Sequence, residues 1–304
     1  MQNTFTKYNK DKLKFEVIID KNFVDKYFNL TIANQYESNQ WCYNKFINFL
    51  FDNIKYSALS AKERNACLNE DFTIVEKSIN NSKLILDDKK CGEIGEIALY
   101  GVMTKYYGAL PVVPKIFYKQ NKNDYAKGAD SVHIVIENKD NFSLWLGESK
   151  FYKDIQKAID EAIKSIIELL KDDKLKKEQS IITSIGDLDE LEELKNNQEL
   201  LKNIKNKLGT QRSLDEIKQI LHIPIFLLYE CNLTKKHNEF SDIYKNELSQ
   251  NSKQILKIIY EKLKKASENI PHIDKIFFHI ILFPVPNKEI IIEKVKQKAK
   301  AFND

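Results

Sequence analysis

Arginine is nearly missing from this chain of 304 residues: Arg64 and Arg212 are the only guanidinium groups among 48 basic residues. Lysine lacks the planar fork that reads guanine through two hydrogen bonds, so base-specific recognition is not expected, and phosphate contacts fall to lysines and backbone amides. Cysteine is sparse too. Cys42, Cys67, Cys91 and Cys231 are far apart and form no CxxC pair, which argues against a zinc knuckle or a disulfide framework and predicts reduced, mostly buried thiols. Long apolar runs are also lacking. The longest, Ile223–Tyr229 and Ile276–Val285, fall well short of the roughly 18 residues of a membrane span and read as strands. The opening residues MQNTFTKYNKDKLKFEV contain no apolar core of a signal peptide. These absences predict a cytoplasmic protein with no membrane contact. Nor is there an excess of one charge: 48 basic against 44 acidic residues give +4, which neither demands nor excludes a nucleic-acid partner.

The hydrophobic fraction of 42% is enough to bury a core in one large or two modest domains. Lys14–Asp20 and Phe28–Ala33 read as strands, and Tyr43–Leu59 and Ala61–Asn80 as helical, giving an N-terminal α/β extension over 1–85. A main domain over 86–304 opens with Cys91–Tyr107, where apolar residues recur at helical spacing and Glu93 and Glu96 share a side. Val112–Tyr118 reads as a strand, and Pro111 and Pro114 give it a sheet edge or an irregular entry. Ser131–Glu137 and the strand from Leu144 to Lys150 are joined by a connection short enough to make an antiparallel hairpin. Asp154–Leu170 carries the clearest amphipathic stripe. The charged stretch of about 171–220 is a helical insertion that packs on the core, caps a site or meets a partner, the plainer reading being a solvated face. His222–Tyr229 and Lys275–Phe283 read as buried strands, separated by a helix over about Phe240–Ser267 and followed by a lysine-rich helix over Asn287–Phe302. The sum is an α/β fold, a mixed β-sheet flanked by helices.

Glu148-Ser149-Lys150 ends the second strand of the hairpin. An acid, one spacer and a lysine share a strand face, so the carboxylate can bind a hard cation while the lysine reaches the water or phosphate beside it. The Ser149 carbonyl is a further oxygen ligand. By composition alone about seven acid-x-Lys triplets are expected, and the chain has seven, so the triplet by itself carries no information. Its setting does. Only Glu148 ends an apolar strand whose predecessor starts with an aspartate, Asp130, and the hairpin brings the two to one edge of the sheet. Within the first of these strands His133 is read as a core histidine, and Trp145, Tyr106, Tyr107, Tyr118 and Tyr152 as core and rim. Lys122, Lys127 and Lys153 are read as solvated unless they meet phosphate.

The order of Glu93 and Glu96 on a helix, then Asp130, then Glu148-Ser149-Lys150, then a helix with Gln156 resembles the PD-(D/E)xK nuclease superfamily. More closely, GEIGE, KGADSVH and LWLGESKFY resemble the HamA subunit of the Hachiman antiphage defence system, over about Gly92 to Ile167. The proline of the superfamily name is absent, since Ala129 precedes Asp130. The resemblance implies a restriction-endonuclease-like core and Mg²⁺ or Mn²⁺ held by Asp130, Glu148, Ser149 and Glu96, with Glu93 in reserve for Glu96. It implies Lys150 as the catalytic lysine, with Gln156 as a looser match. It further implies a DNA-cleaving effector with little sequence specificity and a helicase partner, HamB. The alternative is a catalytically inactive nucleic-acid-binding or regulatory subunit with the same fold.

Overall fold

In a computed structural model, which describes residues 9–82, 92–120, 128–138, 140–184 and 186–302, a short 3-10 turn at Lys10–Lys12 is followed by two antiparallel strands, β1 (Glu16–Val24) and β2 (Tyr27–Ala33). A two-residue ribbon of β3 (Tyr36–Glu37) and β4 (Gln40–Trp41) leads to α1 (Tyr43–Asn53), α2 (Lys55–Ala58), α3 (Ala61–Ala66) and α4 (Asp71–Asn80). Next come α5 (Gly92–Lys105), β5 (Leu110–Val113), α6 (Lys115–Gln120), β6 (Ser131–Ile136), β7 (Phe142–Tyr152) and α7 (Ile155–Leu169). The charged stretch folds as α8 (Asp172–Ser184), α9 (Asp187–Glu190), α10 (Glu192–Lys195), α11 (Gln198–Leu208) and α12 (Leu214–Lys218). The chain then continues through β8 (Leu221–Glu230), α13 (Asn232–Lys236), α14 (Asp242–Ser267), β9 (Phe277–Val285) and α15 (Lys288–Lys300).

Seven strands form one mixed sheet in the order β1-β2-β9-β8-β7-β6-β5. The three central pairings, β2 with β9, β9 with β8 and β8 with β7, are parallel; the outer pairings are antiparallel. Parallel strands covered on both faces read as unbroken apolar runs, and β8 is buried at all but its last residue. Residues 16–33, in the predicted N-terminal extension, thus continue the sheet that carries the hairpin.

Strand alternation sorts the core into two layers. Leu144, Leu146, Ile223, Ile225, Leu227, Ile280 and Leu282 pack with α7, α14 and the helices of 172–218. Trp145, Phe151, Phe226, Leu228, Ile281 and Phe283 pack on the opposite face with α1, α5 and α15. The stripe of α7 is buried as its spacing predicts, at Ala158, Ile159, Ala162, Ile163, Ile166 and Leu169, and Asp154 caps its start by accepting from Lys157 N at 2.8 Å. Each such isoleucine contributes about 1.5–3 kcal/mol through burial.

Two expectations change. The edge strand stops at Val113, and the rest of the predicted strand, Lys115 onward, is helical. Pro114 cannot donate to a ladder, and the Tyr100 hydroxyl intercepts the backbone on both sides of it, donating to Val113 O at 2.5 Å and accepting from Lys115 N at 3.2 Å. The charged stretch is not simply a solvated face, because Leu175, Ile182, Leu188, Leu194, Leu201, Ile204 and Leu208 are buried in the same core as α7. Its charges hide an ordinary amphipathic pattern, strongest in α11.

Candidate functional site

The hairpin pairs Ser131 with Gly147 and Val132 with Leu146, which sets Asp130 beside Glu148. Asp130 N donates to Gly147 O at 2.8 Å, and Asp130 Oδ2 accepts the backbone N–H of Ser149 at 3.0 Å. On β7, Glu148 and Lys150 are in phase with Leu144 and Leu146, two residues apart, and so share the face covered by α7. Lys150 Nζ donates to Glu148 Oε1. Ser149 points the other way, towards α5. There Gly95 permits close approach: a Cβ at that position would lie 2.6 Å from Ser149 Oγ.

Glu96 comes from α5 and is 6% exposed. Both of its oxygens accept from Lys119 Nζ at 2.6 Å. Burial, more than Lys119 can offset, pushes its carboxyl up to about 7, and the negative charges of Asp130 and Glu93 push the same way. Glu148, 4% exposed, is raised to about 8 by burial and by Asp130, with Lys150 working in the opposite direction. The two lysines respond in kind. Burial lowers each, yet Glu96 and Asp130 raise Lys119, Glu148 and Asp130 raise Lys150, and both end above the ordinary ammonium value. Asp130 is therefore the shared neighbour of two ion pairs, one on each side of it.

Asp130, Glu148 and Lys150 meet at one end of the hairpin, and Glu96 reaches the same neighbourhood through Asp130. Glu93 is buried on the first turn of α5. Gln156 is exposed on the first turn of α7 and makes no hydrogen bond to these carboxylates. Lys119 is the residue that sequence reasoning missed. Its signal was the spacing of Lys115 and Lys119, four apart after a proline, which puts both ammonium groups on one side of a short helix.

The donors of Glu96, Asp130 and Glu148 are all oxygen, the chemistry a hard divalent cation takes, and burial, with the charge of Asp130 adding to it, raises the Glu96 and Glu148 carboxyls. As arranged here, lysines supply the counter-charge, and among the described residues no three His, Cys, Asp or Glu side chains converge to hold a metal ion. The side chains that could hold one are those of Asp130, Glu148 and Glu96, the last two now bonded to lysines.

Other candidates resolve into structure. His133 is buried beside Tyr100, with ring centroids 4.6 Å apart, and burial lowers its pKa to about 3. Trp145, Tyr106 and Tyr107 are core. The Tyr118 hydroxyl donates to Asp187 at 2.9 Å, and Tyr152 is half-buried. Lys153 pairs with Glu289 at the surface. Lys122, Lys127 and Cys91 lie outside the described residues. Among the described residues Cys42, Cys67 and Cys231 are free thiols, and no helix is long and apolar enough to cross a membrane.

No curated protein and no solved structure matches the chain. The HamA family model does, over residues 6–299, reaching far beyond the three short motifs. The chain belongs to the HamA family, a membership that supports a role in antiphage defence.

Proposed function

We propose that the chain is a metal-dependent nuclease of PD-(D/E)xK type, the effector of an antiphage defence system under the control of a helicase partner. The observation that carries this reading is the bond from Ser149 N to Asp130 Oδ2. It locks the aspartate of one strand against the acid-x-Lys triplet of the next, in the place where such a triplet has chemical use.

Asp130 and Glu148, with Glu96 alongside, would hold Mg²⁺ or Mn²⁺, which supplies a more acidic water and offsets charge on the phosphodiester. Lys150 would orient the attacking water and stabilise negative charge as it grows on the phosphoryl oxygens. The water oxygen forms the new bond to phosphorus, the bond from phosphorus to one ribose or deoxyribose oxygen breaks, and that oxygen takes up a proton as the water loses one. Nothing in this chemistry reads a base, in keeping with the shortage of arginine. DNA is the proposed substrate, and RNA is the control.

A second reading, a regulatory subunit without turnover, is favoured by one observation: Glu96 and Glu148 are already paired with lysines. Plasmid DNA and RNA incubated with the purified chain, alone and with its helicase partner, in Mg²⁺ and then with EDTA, separates the two. Metal-dependent cleavage that disappears in Glu148→Ala and Lys150→Ala supports the nuclease. No cleavage under any of these conditions, or cleavage undiminished in both variants, sinks it. The helicase relationship is tested by co-expression and size exclusion, where a persistent free chain counts against it.

A further inference from the structure

Glu178 on α8 is far from the motif in sequence, yet it touches the turn that presents Asp130. Its two oxygens each lie 2.9 Å from Lys115 Nζ, and Oε1 also accepts the Ala129 N–H at 3.0 Å. The Lys115 and Glu178 side chains are 0% and 1% exposed. Burying two charges offsets much of their attraction, so an apolar pair of similar volume is often as stable. What an apolar pair cannot do is accept the N–H of the residue before Asp130.

The surrounding geometry is built for that contact. Gly128 has φ +153°, and a Cβ there would overlap Glu178 Oε1, so the turn needs glycine for its backbone and for the carboxylate's approach. Lys115 starts α6, and one helical turn later the same helix delivers Lys119 to Glu96. One buried carboxylate is thus a single residue away from Asp130 and a single helical turn away from the partner of Glu96.

We propose that Glu178 is a positioning residue of this site: through the Ala129 N–H it aims Asp130, and through Lys115 it holds α6 and with it Lys119. The helical stretch 172–218 thereby gains a route to the site, since any shift of α8 releases the Asp130 turn and α6 together. The functional half of this proposal rests on the nuclease reading; the structural half does not.

The test uses two uncharged double variants of the full chain, so that no buried charge is left unpaired. K115M/E178Q keeps an oxygen acceptor for Ala129, and K115M/E178M has none. Hydrogen exchange of the Ala129 amide and metal-dependent cleavage are measured with the helicase partner present, and melting curves establish that both variants fold. The proposal expects Ala129 exchange at least tenfold faster, and cleavage at least tenfold slower, in K115M/E178M; K115M/E178Q, which keeps the acceptor and loses only the hold on α6, stays within about threefold of the parent in Ala129 exchange and cleaves more slowly than the parent but faster than K115M/E178M. A purely structural ion pair predicts that both folded variants behave alike. Equal exchange in the two variants, or parental cleavage by K115M/E178M, overturns the proposal. If the parent itself does not cleave, the nuclease reading fails and the exchange comparison alone decides: faster exchange only in K115M/E178M upholds the positioning of the Asp130 turn, and equal exchange overturns it. If K115M/E178M fails to fold, K115M/E178Q is compared with the parent alone. It keeps the acceptor but loses the hold on Lys115, and an unaltered Ala129 amide with slowed cleavage supports the proposal, whereas parental cleavage overturns the link to α6.

Discussion

Ser149 gives its backbone N–H to Asp130 across the β6–β7 hairpin at 3.0 Å, so the aspartate serves the hairpin as well as any reaction. Asp130→Asn retains an oxygen acceptor and loses the charge, whereas Asp130→Ala loses both. Urea melts are expected to place the Asn variant within about 1 kcal/mol of the parent and the Ala variant about 1–3 kcal/mol below it, with cleavage lost in both. Equal stability of the two variants would show that the bond does not support the hairpin.

The raised carboxyl of Glu148 gives stability a pH slope. Its value moves from 4.5 as a free group to about 8 in the fold, so the folded state binds the extra proton. The contribution is full below about 4.5 and is lost as pH rises through about 8, at no more than about 1.4 kcal/mol per pH unit. Glu148→Gln cannot lose a proton. Its stability relative to the parent is therefore expected to rise between pH 5 and pH 8 in denaturant melts taken without divalent metal; a flat difference would mean that Glu148 titrates like a free carboxyl.

Gly95 lets α5 lie against β7. In Gly95→Ala the new methyl group meets Ser149 Oγ at 2.6 Å, while the next nearest atom, Phe151 Cβ, is 3.5 Å away. A loss of about 1–3 kcal/mol is expected from overpacking, and Ser149→Ala in the same chain should restore most of it. A double-mutant cycle measures the coupling. Additive losses would mean that the helix is displaced by something other than the hydroxyl.

Lys119 holds both oxygens of Glu96. If a divalent cation is to take Glu96 as a ligand, the ammonium group opposes it, and a charge-assisted bond is worth about 1.5–3 kcal/mol. Lys119→Met should then lower the Mn²⁺ concentration needed for half-maximal thermal stabilisation by about tenfold, which corresponds to about 1.4 kcal/mol. An unchanged or higher concentration would place the cation away from Glu96.

The hairpin, α7 and the buried strands were legible in the sequence because each depends on local alternation or on helical spacing over many residues. The pairing of Asp130 with Glu148 followed from one short connection. Lys119 was not legible despite its four-residue spacing from Lys115, because Lys115–Gln120 is too short to show a period and its apolar residues Ile116, Phe117 and Tyr118 favour a strand by composition. Nor was Glu178, one of several acids on a lysine-rich helix, whose partners Lys115 and Ala129 lie far away in the chain. The place of β2 beside β9 was hidden for the same reason, since no local pattern records which distant strand becomes a neighbour.

That neighbour relationship has a consequence for synthesis on the ribosome. β2 ends at Ala33 and its partner β9 begins at Phe277, and making the chain between them takes roughly 12 to 50 s at about 5–20 residues per second. Throughout that interval the edge of β2 that will face β9 has no partner strand, and β8, once made, pairs with β7 but lacks its other flank. The sheet that seats Glu148 closes only once β9, ending at Val285, has emerged, so a nascent chain that stops short of it lacks the completed platform beneath the triplet.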